Sequence, residues 1–283
     1  CNVVVVGGGT AGLEAACTAA EVGCNTFLLE EKETLGGLAA EISKIPAKKR
    51  LADFPHYLEH RAAGLDNLYI FTGTHATPEN IRKFHPNLIV NATGSGPLLP
   101  PINGLMDNID KEGGNVYSIL GMISHINDFP QDLEGKKIAV IGGGAVGLDV
   151  VEFFAARKAD ISIVEMMDQI GRDLDPVTKN DTKCMMKSHD VHQLTKTALL
   201  EVKADSFLVK GSEGEYELPF DYGFVCLGMR AKGQLYSQLL EAFSDDDVEV
   251  INIGDSQRAR RIIDGTMEGR NILYHLTQRG YLD

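Results

Sequence analysis

The chain has 283 residues, of which 43% are hydrophobic and 24% charged, which is ordinary for a globular protein and sufficient for two domain cores. Its formal net charge is −13 and its isoelectric point about 5.1, which argues against nucleic acid or an anionic membrane as a partner. The sequence contains no apolar run of about 18 residues, so no membrane helix is expected. It opens directly on a predicted strand, without a signal-peptide pattern.

The first predicted elements are a strand, a glycine-rich turn and a helix, within CNVVVVGGGTAGLEAACTAAEVGCNTFLLEE. Gly7 allows the tight turn out of the strand, and Gly9 has no side chain to keep a pyrophosphate from the backbone. Gly12 lets the helix pack close to the strand. The first helical residues, Thr10 and Ala11, lie where free N–H groups and the helix dipole favour phosphate.

An acidic residue ends the second strand of this unit. Glu30 follows Gly12 by 18 residues (30 − 12), near the spacing of about 20 expected for a carboxylate that binds ribose hydroxyls. Glu31 is a neighbouring candidate, but the alternation of side chains along a strand favours Glu30.

Further along, the pattern predicts a helix near 54–63 and short strands near 68–71 and 88–91. The run NATGSGPLLPPINGL then breaks regular structure with its glycines and prolines. We expect the chain to cross into a second domain there, close to residue 100.

The second unit repeats the first, in KKIAVIGGGAVGLDVVEFFAARKADISIVEM. Its glycines are Gly142, Gly144 and Gly147, and the first helical residues are Ala145 and Val146. A lone G-x-G-x-x-G is weak evidence, but a complete strand, turn, helix, strand and acid is strong evidence for a nucleotide site. Two such units predict two bound dinucleotides.

The acid of the second unit predicts which dinucleotide binds there. Glu165 follows Gly147 by 18 residues (165 − 147), the same spacing as in the first unit. A carboxylate accepts both ribose hydroxyls of NAD and repels the 2′-phosphate of NADP. Since Met166, Met167 and Asp168 follow and none is basic, the sequence favours NADH over NADPH.

Beyond the second unit, β-like runs near 207–210, 215–218 and 221–226 predict a meander or hairpin. The last stretch reads as a strand, a Gly-Asp and one helix with apolar residues between 262 and 276, which we expect to return beside the opening strands. The predicted fold is therefore α/β, with two Rossmann-like dinucleotide-binding domains. The first comprises 1–100 plus 231–283, and the second, 101–230, is inserted into it.

The five cysteines form neither a C-x-x-C pair nor a metal-ligand spacing. Cys17 and Cys226 fall in predicted regular structure, where cysteine usually acts as a small buried hydrophobe. An odd number of cysteines without a pattern is typical of a reducing cytoplasm. His189 and His192 form an H-x-x-H pair, whose ordinary interpretation is surface, so no metal site is expected.

The ordered motifs GGGTAG, Glu30, LGG, NATG, GGGAVG, Glu165, CLG and IGD resemble the two-dinucleotide-binding flavoproteins of the glutathione reductase type. VEMMDQIGRDLD and GDSQRARRIIDGTMEG look more closely like the C-terminal module of Old Yellow Enzyme-type 2-enoate and 2,4-dienoyl-CoA reductases. This resemblance implies FAD in the first unit and NAD(P)H in the second. It also implies a partner: an N-terminal barrel that carries FMN and an iron–sulfur cluster and reduces an activated C=C bond.

The resemblance also implies further cofactor-binding residues. Three motifs would approach the flavin: LGG (Leu35, Gly36 and Gly37), ATG (Ala92, Thr93 and Gly94) and Gly-Asp (Gly254 and Asp255). The R-R-I-x-D stretch, with Arg261 and Ile262, would begin the helix at the pyrimidine end of the flavin. CLG, with Gly228, would belong to the second unit. Hydride transfer needs position and electrostatics rather than a side-chain acid or base, so no catalytic residue is predicted.

Two alternatives stay beside this hypothesis. A disulfide reductase needs cysteines near the flavin, and the corresponding stretch here, LAAEISKIP, has none. A non-catalytic module that holds only the ADP part of a nucleotide is compatible with the glycine-rich turns. Homo-oligomerisation is left open.

Overall fold

The structure is a computed structural model that describes residues 1–282. Its strands are β1 (Asn2–Val6), β2 (Asn25–Leu29), β3 (Leu68–Phe71), β4 (Leu88–Asn91), β5 (Ser95–Pro97), β6 (Val116–Tyr117), β7 (Lys137–Ile141), β8 (Asp160–Val164), β9 (His192–Leu194), β10 (Ala198–Val202), β11 (Ser206–Gly211), β12 (Gly214–Pro219), β13 (Tyr222–Val225), β14 (Met229–Ala231) and β15 (Glu249–Asn252). Its α-helices are α1 (Thr10–Glu21), α2 (Gly37–Ile42), α3 (Asp53–Ala63), α4 (Pro78–Arg82), α5 (Leu105–Asn108), α6 (Ile119–Ser124), α7 (Ala145–Ala155), α8 (Pro176–Ser188), α9 (Gln234–Ala242), α10 (Ile262–Arg270) and α11 (Ile272–Gln278).

The chain divides into two compact units. The first comprises Cys1–Lys44, Lys48–Gly96 and the residues from Arg230 onward, and the second comprises Ile45–Ala47 and Pro97–Met229. The nucleotide-binding role of the domains expected at 1–100 plus 231–283 and at 101–230 stays a prediction. Within residues 1–282, no helix combines the length and the apolarity needed to cross a membrane.

The first unit is built on a parallel sheet with strand order β15-β4-β1-β2-β3. The central strand, NVVVV, has four fully or almost fully buried valines because both of its faces are covered. One side of the sheet packs on α1 and α11, and the other packs on α9. The carboxyl ends of β1, β2, β4 and β15 therefore lie along one edge, where loops can form a site.

The second unit has its own parallel sheet, ordered β6-β13-β7-β8-β9. Strands β10, β11 and β12 form an antiparallel meander, in which β11 and β12 are two of the predicted runs and β10 was not predicted. The third predicted run became β13, which joins the parallel sheet beside β7 instead. Both sheets carry the strand–helix–strand unit expected from the glycine-rich motifs, and the α/β, Rossmann-like fold class is confirmed.

The C-terminal segment differs from its prediction in two ways. Strand β15 joins the first sheet but pairs with β4, not with β1. The single expected helix is two, α10 and α11, which meet at Asn271. Of the apolar residues that the sequence places in this stretch, Ile263 and Met267 are 57% and 65% exposed. The reason is that α10 packs through glycines: a Cβ on Gly269 would lie 2.6 Å from the carbonyl oxygen of Ala11.

Cys1 and Cys24 form a disulfide, a pairing that the cysteine spacing did not indicate. These residues precede β1 and β2, whose parallel register pairs Asn2 with Asn25. Their Cα atoms consequently lie 4.9 Å apart, within the range that a disulfide spans. The disulfide lies at the amino edge of this sheet, opposite the first glycine-rich turn.

An ion-pair network ties α3 and α10 to α1. The Arg61 guanidinium donates to the Glu14 carboxylate at 2.8 Å and to Glu21 at 2.5 Å, and Arg270 approaches Glu14 at 3.4 Å. The side chains of Glu14 and Arg61 are 10% and 13% exposed, so water contributes little to their solvation. The hydrogen bond from Arg61 holds the pKa of Glu21 below its usual value.

Replacing Arg61 should therefore strongly destabilise the first unit. We expect Arg61→Met to lower the free energy of unfolding by about 3 kcal/mol, because it leaves two carboxylates poorly compensated. The matched control is Arg50→Met, whose ion pair with Asp53 is 90% and 67% exposed and whose loss should change stability by less than about 0.5 kcal/mol. Urea unfolding measures both, and equal effects would contradict a structural role for the network.

Candidate functional site

The turn after β1 is fixed by steric constraints that admit only glycine. Gly7 has a φ of +105°, and a Cβ there would lie 2.3 Å from the carbonyl oxygen of Ala92. A Cβ on Gly12 would lie 1.9 Å from the Gly7 carbonyl oxygen. These contacts hold the first turn of α1 directly against the carboxyl end of β1, so the helix N-terminus faces the sheet edge.

The turn after β7 repeats this geometry closely. Gly142 has a φ of +102°, and its Cβ would lie 2.1 Å from the carbonyl oxygen of Cys226. A Cβ on Gly147 would lie 1.9 Å from the Gly142 carbonyl oxygen. Cys226 thus occupies in the second unit the place that Ala92 has in the first. Its thiol is buried, and burial raises its pKa to about 12, which makes it an unreactive thiol at neutral pH.

Both helices begin with exposed polar backbone and no charged side chain. Their N-caps are Gly9 and Gly144, followed by Thr10 and Ala11 in α1 and by Ala145 and Val146 in α7. A Cβ on Gly144 would meet nothing within 4 Å, and one on Gly9 would approach Gly37 Cα at an ordinary 3.8 Å. The middle glycine of each motif is therefore uncrowded, as needed where a pyrophosphate approaches the backbone.

The acids at the ends of β2 and β8 are held in matching positions. One Glu30 oxygen accepts from Gly8 N–H at 2.5 Å and the other from Lys32 N–H at 2.8 Å. One Glu165 oxygen accepts from Gly143 N–H at 2.7 Å and the other from Met167 N–H at 2.8 Å. Each carboxylate is thus fixed beside its glycine-rich turn with further lone pairs available to hydroxyl donors.

Glu31 points elsewhere. Its side chain is 70% exposed and lies 3.3 Å from His75 Nδ1. The orientation of Glu30 toward the turn is the one that strand parity predicted.

The LGG segment closes over the first turn. Gly36 donates its N–H to the Gly8 carbonyl at 2.8 Å, and a Cβ on Gly8 would lie 2.5 Å from Leu35 Cδ2. Gly36 and Gly37 have φ values of +97° and +56°. A Cβ on Gly37 would lie 2.8 Å from Gly9 Cα, so a larger residue there would crowd the turn.

The sequence reasoning missed the counterpart of this segment in the second unit. Gly171 donates its N–H to the Gly143 carbonyl at 2.7 Å, and Ile170 covers Gly143 as Leu35 covers Gly8. The signal was present: Gly36 follows Glu30 by six residues (36 − 30) and Gly171 follows Glu165 by six (171 − 165). This closing segment is therefore a feature of both units and does not by itself indicate a flavin.

The residue after this glycine differs between the units. Gly37 lies against the first turn, whereas its equivalent in the second unit is Arg172, whose side chain is exposed. A basic residue thus follows directly on a glycine that is bonded to the second turn. The sequence reasoning examined the three residues after Glu165 and did not reach it.

Two more predicted groups surround the first turn. Ala92, Thr93 and Gly94 follow β4; Ala92 N–H donates to the Val6 carbonyl at 2.8 Å, and Gly94 has a φ of +75°. Gly254 contacts α1, since a Cβ on it would lie 2.9 Å from the Ala11 Cβ.

Asp255 is oriented by two hydrogen bonds. Its Oδ2 accepts from the Ser95 hydroxyl at 3.0 Å, and its Oδ1 accepts from the Arg260 N–H at 3.0 Å. Arg261 precedes α10 with 84% of its side chain exposed, and Ile262 is the first residue of that helix. Gly228, in the second unit, has a φ of +104°, and its carbonyl accepts from the Leu98 N–H at 2.9 Å.

The first turn is thus surrounded by groups from four segments, and the second turn has fewer. Both present backbone N–H groups and a carboxylate, the groups that bind a pyrophosphate and a ribose in dinucleotide sites. Among residues 1–282, no group of three or more His, Cys, Asp or Glu side chains is arranged to hold a metal ion.

Comparisons with known proteins agree with this geometry. The family model described as pyridine nucleotide-disulphide oxidoreductase matches residues 1–254. The chain is 30% identical over 278 residues to an NADH oxidase of Thermoanaerobacter brockii, covering 97% of this chain and 41% of that protein. It is 30% identical over 269 residues to a bilirubin reductase of Mediterraneibacter gnavus, covering 95% and 40%.

The fold is also found in solved structures. A 2-naphthoyl-CoA reductase in complex with 2-naphthoyl-CoA superposes with a TM-score of 0.81 at 22% identity, covering 95% of this chain and 39% of that one. The chain therefore spans about two fifths of the length of each of these three proteins.

The steric account separates two glycines of one turn. We expect Gly147→Ala to destabilise the second unit by about 2 kcal/mol, because its Cβ must displace the Gly142 carbonyl. Gly144→Ala should change stability by less than about 0.5 kcal/mol, because its Cβ enters open space at an unstrained φ of −81°. Thermal unfolding of both variants measures this, and a larger loss for Gly144→Ala would contradict the geometry.

Proposed function

The chain belongs to the pyridine nucleotide-disulphide oxidoreductase family, flavin-dependent oxidoreductases that bind FAD and NAD(P)H, and on that premise we propose that it passes electrons from NADH through FAD to a separate acceptor domain. The observation that carries the proposal is the duplicated turn, because each copy fits one ADP-containing dinucleotide. When both cofactors are bound, the nicotinamide supplies a hydride and the flavin accepts it.

In this proposal the first unit holds FAD. The turn at Gly7, Gly9 and Gly12 binds the pyrophosphate, and the Glu30 carboxylate accepts the adenosine ribose hydroxyls. The support for a whole flavin, rather than ADP alone, is the carboxylate of Asp255. It is held beyond β15 by two donors and so is placed to receive further hydroxyl groups.

The second unit then holds NADH through Gly142, Gly144, Gly147 and Glu165. The preference for NADH rests on Glu165, whose carboxylate repels a 2′-phosphate. Arg172 is the observation that favours NADPH. We place more weight on Glu165, because both of its oxygens are fixed beside the turn, whereas the Arg172 side chain is exposed.

The acceptor in this proposal is a barrel domain that carries FMN and an iron–sulfur cluster and reduces activated C=C bonds. Support comes from the relatives, which are more than twice as long as the stretch they share with this chain. The proposal includes a cytoplasmic location. The free thiols of Cys17, Cys184 and Cys226 favour it, and the Cys1–Cys24 disulfide argues against it.

A dithiol reaction is not part of the proposal, despite the family name. Cys1 precedes Gly7 by six residues of extended strand, so the Cys1–Cys24 disulfide lies about 20 Å from the turn, at the opposite edge of the sheet. Burial raises the pKa of Cys17 to about 11, so this thiol is also poorly suited to exchange.

Anaerobic mixing of the FAD-loaded chain with reduced nicotinamide tests the proposal. We expect NADH to bleach the visible flavin band, and NADPH to do so at least about tenfold less efficiently. If FAD binds but NADH never bleaches it, the electron-transfer function is wrong and a nucleotide-binding module is left. If NADPH reacts as well as NADH, the assignment of Glu165 is wrong.

A pair of variants links the preference to its residue. Glu165→Ala should raise the KM for NADH about tenfold or more, since two charge-assisted hydrogen bonds are lost. Asp168→Ala removes an exposed carboxylate three residues further along and should leave the KM for NADH unchanged. Steady-state reduction of an artificial electron acceptor at varied NADH concentration measures both KM values.

A further inference from the structure

The side chain of Glu268, on α10, clamps both ends of the loop that contains Asp255. One carboxylate oxygen accepts from the Gly254 N–H at 2.7 Å. The other accepts from the Arg260 guanidinium at 2.6 Å. The side chains of Glu268 and Arg260 are 28% and 29% exposed, so the pair is largely shielded from water.

Each residue that Glu268 holds is adjacent to Asp255 in the chain or bonded to it. Gly254 is the preceding residue, and Arg260 donates its backbone N–H to Asp255 Oδ1 at 3.0 Å. The Ser95 hydroxyl fixes the other oxygen. The orientation of the Asp255 carboxylate therefore depends on a loop whose two ends meet at one side chain.

The helix that carries Glu268 is itself fixed against α1. A Cβ on Gly265 would lie 3.2 Å from the Ala11 Cβ, and one on Gly269 would lie 2.6 Å from the Ala11 carbonyl oxygen. The backbones of α10 and α1 thus touch at the beginning of α1, directly behind the first glycine-rich turn. Glu268 consequently relates the Asp255 loop to the same helix whose N-terminus faces the pyrophosphate site.

We infer that Glu268 is a positioning residue, which holds the Asp255 carboxylate in the orientation that receives hydroxyl groups of the flavin's ribityl chain. This inference rests on the proposed function, in which the first unit binds FAD. Glu268 itself touches Gly254 and Arg260 and acts through them. Without it, the Gly254 N–H and the Arg260 guanidinium lose their shared acceptor, and the loop that places the Arg260 N–H against Asp255 loses its anchor on α10.

A double-mutant cycle on the chain tests this inference, with the dissociation constant of FAD measured by flavin fluorescence. We expect Glu268→Ala to weaken FAD binding about tenfold. Asp255→Ala should weaken it at least as much. The double variant should bind no worse than Asp255→Ala alone, because Glu268 acts through Asp255.

The matched control is Glu249→Ala. Glu249 lies 2.6 Å from His275 Nδ1 in the same unit, and both side chains are 30% exposed, so the variant loses a carboxylate contact of similar length and exposure away from Asp255. Its FAD affinity should equal that of the unmodified chain. If Glu268→Ala does not fold, Glu268→Gln keeps an acceptor for Gly254 N–H and removes the charge opposite Arg260, and the same cycle with Glu268→Gln should show the same non-additivity.

Two results would overturn the inference: FAD binding by the Glu268 variants as tight as that of the unmodified chain, or losses that add fully to that of Asp255→Ala. Full additivity is the signature of a merely structural contribution. If the unmodified chain itself fails to bind FAD, the proposed function is overturned instead, and the inference with it.

Discussion

The organisation of each unit depends on one steric constraint, the contact between the first and third glycines of its turn. In both units the third glycine lies so close to the carbonyl oxygen of the first that a Cβ would come within 1.9 Å of it. This contact places the N-terminus of a helix at the carboxyl edge of a parallel sheet. Three features then lie close together: backbone N–H groups, the helix dipole and an acid at the end of the next strand. The first two suit the negatively charged pyrophosphate of a dinucleotide, and the acid suits its ribose.

The two units share this steric constraint but differ in the residues that surround the turn. Both turns are closed by a glycine six residues after the acid, Gly36 and Gly171, but Gly37 follows in one and Arg172 in the other. In the first unit, α10 also packs against α1 through Gly265 and Gly269 and brings Glu268 to the Asp255 loop. The surroundings of the two turns, rather than the turns themselves, carry the proposed difference between FAD and NADH.

The sequence predicted what depends on local pattern. The strands around both turns, the spacing of 18 residues to Glu30 and Glu165 and the orientation of Glu30 all follow from periodicity and backbone sterics. Gly171 was also within reach, since its spacing from Glu165 repeats that of Gly36 from Glu30. It was missed because IGR does not look like LGG.

The remaining features depend on contacts between segments distant in sequence. The Cys1–Cys24 disulfide follows from the register of two paired strands, which spacing alone does not give. Helix α10 packs on α1 through Gly265 and Gly269, whereas the sequence pointed to its apolar residues. The Glu268 clamp joins three residues of the stretch GDSQRARRIIDGTMEG, but the stretch itself does not show that they touch, and the contact forms when the loop between Gly254 and Arg260 folds.

The central claim is that the two turns bind different dinucleotides independently. Equilibrium binding of FAD and of NADH to Gly9→Val and Gly144→Val variants tests it most directly, because each substitution fills the open space before one turn. The account predicts that Gly9→Val loses FAD and keeps NADH, and that Gly144→Val loses NADH and keeps FAD. The claim is contradicted if both variants lose the same cofactor, or if both variants still bind FAD and NADH.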